Sequence, residues 1–221
     1  MTLNQTASAI INDLWGGNLI PPSNRSLISI EQIEDECIAE REQIIREWWF
    51  RSILFKNDLA LAINCIPVDC KDPNKCPCGP VTGETIQHFE IPQLMDGLGK
   101  DAIIFIGSTD RAASYKVYFS RESVNFQKYS KRGRFKPYVY IERTPNENGM
   151  YDGWLFNAPF AQHIAVIGIF KDPRQLEQYG CCNSTDFLEL GSISSEIIRR
   201  ILAKKTSLYR TVSPPASQIT S

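Results

Sequence analysis

Histidine is scarce here: two residues, His88 and His163, among 221. General-base catalysis and nucleophile activation use imidazole more than any other side chain, so this scarcity narrows the enzyme chemistries available. His163 opens a strand-like run, AQHIAVIG, where a structural role fits better than a catalytic one. Neither sign of charge is in excess: 24 Lys and Arg stand against 25 Asp and Glu, a net charge of −1. The chain as a whole therefore lacks the basic footprint of a nucleic-acid-binding domain. No apolar run approaches the roughly 18 residues that span a bilayer, so no membrane partner is expected. The opening MTLNQTASAIINDLWGG has no basic n-region and is not read as a secretory signal. Cytoplasmic synthesis with reduced thiols is the expectation, and an odd count of seven cysteines argues against a full disulfide framework. Neither Gly97-Leu98-Gly99-Lys100 nor Gly107-Ser108-Thr109-Asp110 has phosphate-loop spacing.

What is present reads as helices, then strands, then a helix. Leu3, Ala7, Ile10, Ile11 and Leu14 recur at helical spacing, and Gly16-Gly17-Asn18 stops that helix. Ser29 with Gln32 forms a capping box for a long helix over 30–54. Its apolar stripe runs Ile30, Ile33, Cys37, Ile38, Ile44, Ile45 and Trp48, interrupted by Arg41. Strands are predicted over 59–68, 85–91, 101–106, 115–120, 137–143, 153–157 and 164–170. The fifth and sixth form a hairpin around Pro145-Asn146-Glu147-Asn148-Gly149. A final helix carries Ile197, Ile198, Ile201, Leu202 and Leu208. This order predicts an α+β fold: N-terminal helices, a central mostly antiparallel β-rich core, and a C-terminal helix with an extended tail. The expected organisation is a helical arm and linker over 1–24, a single core domain over 25–210, and a flexible tail over 211–221.

Three stretches invite chemistry. Cys65, Cys70, Cys76 and Cys78, with His88 downstream, gather soft and imidazole ligands within a short span. Their C-x4-C-x5-C-x-C spacing differs from the paired knuckles of zinc sites, and a turn-rich loop is the preferred reading. Cys181-Cys182 is read as incidental. Carboxylate pairs at Glu34/Glu36 and Glu40/Glu42 are expected on a solvated helix face. The third stretch interleaves Lys128, Lys131, Arg132, Arg134 and Lys136 with Phe126, Tyr129, Phe135 and Tyr138. Such a pattern suits a single-stranded nucleic acid. The preferred reading is a subunit contact with the acidic long helix, head to tail, of the kind that closes rings; a plain solvated loop is the remaining one. For the adjacent Trp48 and Trp49, two readings stand side by side: one inward and the other partly exposed or in an interface, or both on a wide core face.

Several phrases also carry a resemblance. The helix ending LWGGN, the helix SIEQIEDECIAEREQIIREWW, and then INCIPVDC, IPQLMDGLGKDAIIFIGSTD, PYVYIERTPNENGMYDGWLFNAP and IAVIGIFKDPRQLEQYGC follow in order over residues 2–209. In pattern and order they resemble tail and neck proteins of short-tailed bacteriophages, especially the ring proteins of crAss-like phages. The resemblance implies a non-enzymatic virion component, a head–tail connector assembled in the host cytoplasm. Many copies, twelve by analogy with the portal, would form a ring below the portal and against neighbouring tail or ring proteins. Genomic DNA would pass through its channel at ejection without sequence-specific binding. It implies no catalytic residue, no cofactor and no metal. Alternatives from the residues themselves are a single-stranded nucleic-acid module using residues 126–138, or a zinc or thiol protein centred on the cysteine-rich loop.

Overall fold

The structure, a computed structural model, describes residues 3–16, 28–51, 59–69, 86–129, 135–179 and 193–212. In chain order the elements are α1 (Leu3–Gly16), α2 (Ile30–Phe50), β1 (Leu61–Pro67), β2 (Ile86–Pro92), β3 (Ile103–Gly107) and β4 (Lys116–Tyr118). There follow α3 (Arg121–Tyr129), β5 (Tyr138–Pro145), β6 (Met150–Phe156), β7 (His163–Gly168) and α4 (Ser194–Val212). Short 3-10 turns span Gly99–Ala102 and Pro173–Gln178. The predicted α+β class, with mostly antiparallel sheets between terminal helices, is what forms. Two compact units result, Met1–Asp58 with Ser184–Ser221, and Leu59–Asn183.

In the helical unit, α1, α2 and α4 pack on one another. All five apolar residues assigned to the first helix are buried. The capping box forms as expected. Gln32 N donates to Ser29 Oγ at 3.2 Å, and Ser29 N donates to Gln32 Oε1 at 3.3 Å. Helix α2 ends at Phe50, capped at Arg51, rather than running to residue 54, and the last predicted residues, 52–54, lie outside the described set. Trp48 and Trp49 do not divide into one inward and one outward; both are half-buried. Leu208, assigned to the buried face of α4, is exposed, whereas Ile197 and Ile201 are buried.

The second unit holds two sheets, ordered β1-β7-β3 and β2-β6-β5-β4, antiparallel except for the β4–β5 pair. Strand β2 belongs to the four-stranded sheet yet reaches the other at both ends. Asp69 and His88 exchange backbone hydrogen bonds beyond β1, and Leu94 bridges Phe170 beyond β7. Both faces of the four-stranded sheet are covered. Phe89, Ile91, Val139, Ile141 and Leu155 fill one side. On the other, Ile86, Tyr138, Tyr140, Trp154 and Phe156 cluster with Val124 of α3.

Helix α3 was not anticipated, because residues 126–138 read as a basic-aromatic segment. A local signal exists: Ser120 Oγ accepts from Ser123 N at 3.2 Å, a cap at the helix start. Val124 and Gln127 then turn inward, and Tyr118 donates its hydroxyl proton to Gln127 Oε1 at 2.8 Å. The aromatic residues on the opposite side of α3 are thereby directed outward. Among the described residues, no helix is long and apolar enough to cross a membrane.

Candidate functional site

Apolar side chains left in water are the first feature of interest. Phe126, Tyr129 and Phe135 are 79%, 86% and 76% exposed, all within one short stretch around α3. Phe160, in the loop between β6 and β7, is 94% exposed. Single exposed apolar residues are ordinary, but grouped aromatics mark contact surfaces. Their placement follows from α3 having one packed face: with Val124 on the sheet, residues two and five positions further on point away. Lys136, from the basic set, is exposed as well. Lys131, Arg132 and Arg134 lie outside the described residues, as does the side chain of Lys128.

The acidic helix α2 is not the solvated face expected of it. Glu40 is buried at 5% exposure and pairs with Lys204 of α4. Glu36 pairs with Lys205, and Glu47 with Arg200. Arg200 Nη2 donates to Glu47 Oε2 at 2.7 Å, and Arg200 Nε donates to Glu196 Oε1 at 2.8 Å. Hydrogen bonding from Arg200 holds the Glu47 carboxyl down at about 2. Arg199 and Arg200 do the same for Glu196, also about 2. Much of the negative charge read as available for a neighbouring copy is therefore met by the C-terminal helix of the same chain. Glu42 pairs with Arg46 along α2.

The cysteine-rich loop is largely outside the described residues, including Cys70, Cys76 and Cys78, and so are Cys181 and Cys182. Cys65 is disulfide-bonded, which departs from the reduced thiols expected and removes its sulfur as a thiolate ligand. Among the described residues, the ligand-type groups gathered with His88 are carboxylates. His88 is 4% exposed, packs edge-on against the Trp154 ring at 4.9 Å, and its Nε2 lies 2.7 Å from Asp152 Oδ1. His163 is exposed at the start of β7.

Around His88 the structure assembles a group that the sequence reading did not connect. Register sets Glu90 of β2 directly opposite Asp152 of β6, and His88 is two residues along on the same face. One ligand-type atom from each of His88, Glu90 and Asp152 lies within 4.8 Å of the others. The hairpin turn supplies a fourth member. Asn146 Oδ1 accepts from Asn148 N and Met150 N, both at 3.0 Å. That fixes which end of the amide faces the strands. Its Nδ2 then donates to Glu90 Oε1 at 3.2 Å and to Asp152 Oδ1 at 3.4 Å. Tyr179 donates its hydroxyl to the Glu90 carbonyl at 2.8 Å. Burial first, then the Glu90 charge, drives the Tyr179 phenol well above its ordinary value. A cavity of about 610 Å³ opens beside the group, lined by His88, Glu90, Asp69, His163 and Tyr179 among others. The readable signal was the His-x-Glu alternation of IQHFEIP, which places both side chains on one strand face.

No protein-family model matches this chain, and no curated protein matches it.

Proposed function

We propose that this chain is a structural ring subunit of the neck or tail of a crAss-like short-tailed bacteriophage. In this reading it joins capsid to tail around the DNA channel and turns over no substrate. The observation that carries the proposal is the group of outward aromatics, Phe126, Tyr129 and Phe135. Large rings kept in water cost solvation free energy in an isolated monomer and become favourable once another surface covers them. The sequence resemblance supplies the identity of that surface: a neighbouring copy, the portal, or the next ring. Helix α4, tied to α2 by ion pairs, leads towards residues 213–221, which serve as an arm onto a neighbour.

Light scattering and negative-stain microscopy of purified protein, alone and with the portal, test this. Closed rings, twelvefold on the portal, are expected. A monomer that neither self-associates nor binds portal would overturn the reading. Removing residues 211–221 should leave the fold intact and weaken assembly.

The same aromatics favour one alternative, a single-stranded nucleic-acid module in which bases stack on Phe126, Tyr129 and Phe135. Oligonucleotide binding with a steep salt dependence, lost when these rings are removed, would move the assignment there.

A further inference from the structure

We propose that His88, Glu90 and Asp152 form a binding site for a single first-row divalent cation, of the Mn²⁺ or Zn²⁺ class, which clips β2 to β6. The first argument is geometric. Donors each about 2.1 Å from one ion lie roughly 3.0–3.4 Å apart. The His88 Nε2 to Asp152 Oδ1 separation is 2.7 Å, and the whole set lies within 4.8 Å. A rotamer adjustment of about 1.5 Å in the flexible Glu90 side chain, with a slight widening of the His88–Asp152 contact, brings the three donors around one point.

The second argument is electrostatic. Glu90 and Asp152 are cross-strand partners in an antiparallel pair, where two like charges directly opposite are destabilising. Among the described residues, no lysine or arginine pairs with either carboxylate. Arg121, at the start of α3, is held by Glu142 of β5 at 3.1 Å. The Asn146 amide donates to both carboxylates and offsets part of their repulsion, but it is neutral and brings no full positive charge, which a cation would supply.

Thirdly, the site is built rather than accidental. Antiparallel register fixes two ligands on adjacent strands, and the His88 ring is held edge-on by Trp154. Asn146 is in turn locked by two backbone N–H groups of the hairpin. Outer partners of this kind orient ligands in metal sites. The 610 Å³ cavity at His88 and Glu90 gives the ion a path in and room for water at its remaining positions. One imidazole with two carboxylates, and no thiolate, suits Mn²⁺, Fe²⁺ or Zn²⁺. On binding, the proton that Nε2 shares with Asp152 leaves, to Nδ1 or to solvent, so that the Nε2 lone pair and the freed Asp152 oxygen both turn to the ion.

Mn²⁺ is the probe of choice because thiolates are poor ligands for it, so the cysteine-rich loop does not compete. Full-length protein, stripped with chelator, is titrated while free Mn²⁺ is followed by electron paramagnetic resonance. One ion per chain with a dissociation constant at or below about 100 µM is expected. Glu90→Gln and Asp152→Asn should each weaken binding by at least about tenfold, and Glu142→Gln should not. A second measurement leaves all three proposed ligands unchanged. In His163→Gln protein the remaining imidazole signals belong to His88, and substoichiometric Mn²⁺ should broaden them selectively. The proposal is overturned by the absence of saturable binding up to about 1 mM. Binding indifferent to both carboxylate changes, or His88 signals that stay sharp, overturns it equally.

Discussion

Arg200 of α4 grips Glu47 of α2 through both terminal nitrogens, Nη1 to Oε1 at 3.2 Å and Nη2 to Oε2 at 2.7 Å, a fork-to-fork pair between helices 153 positions apart in sequence. Bidentate geometry of this kind is the stronger form of arginine–carboxylate contact. Glu47 and Glu196, both bonded to Arg200, have carboxyls lowered from 4.5 to about 2. Since the folded value is the depressed one, the stabilisation is complete above the unfolded value near 4.5 and is lost as pH falls through about 2. Urea unfolding followed by circular dichroism from about pH 5 to about pH 2 should therefore show a fall in stability. Arg200→Met should flatten that fall, and an unchanged slope in the variant would count against the pair. The pair is partly open to water, so added salt should weaken its effect.

Gly153 of β6 lies opposite Phe89 of β2, and a Cβ there would meet the Phe89 ring at 2.3 Å. Phe89 is 2% exposed and has nowhere to withdraw. Gly153→Ala is expected to destabilise the sheet unit by about 1–3 kcal/mol, the usual cost of overpacking. Chemical denaturation of the full chain measures it, and a neutral result would show that the ring can move aside.

Ser29 caps α2 from both sides of the reciprocal bond with Gln32. Ser29→Ala should cost about 1 kcal/mol. Ser29→Asp should recover most of the loss, since aspartate accepts the same N–H and favours the positive helix end. The comparison separates capping from any general sensitivity of this position.

Replacing Phe126, Tyr129 and Phe135 by serine is expected to leave unfolding within about 0.5 kcal/mol per site, because these rings are exposed. Assembly should weaken strongly. Sedimentation velocity at matched concentrations distinguishes the two effects, and equal self-association in the triple variant would move the contact surface elsewhere.

Much of the fold was legible because it rests on local signals. The capping box at Ser29 and Gln32, the apolar spacing of α1 and the turn after Pro145 all act within a few residues of chain. The class of fold followed from the order of such elements. Glu40 was misread for the opposite reason: its partner Lys204 is 164 positions away, and only the packing of α2 on α4 brings them together. The same holds for His88, Glu90 and Asp152. The strand face of the first two was readable, but Asp152 joins them through register between strands, which sequence spacing does not encode. Helix α3 was hidden because its outward aromatics and basic neighbours drew attention from Ser120 and Val124, the residues that start and anchor it.

Cys37 lies at the centre of the three-helix packing with no exposed surface, and burial, then Glu36, Glu34 and Glu40, push its thiol up to about 12. At neutral pH it is a protonated, shielded sulfur, inert to alkylating reagents while the helices stay together. Its modification, read peptide by peptide in a mass spectrometer, would therefore time the opening of this bundle. A thiol that stays silent in assembled particles and reacts in free subunits would report how far neighbours suppress that breathing.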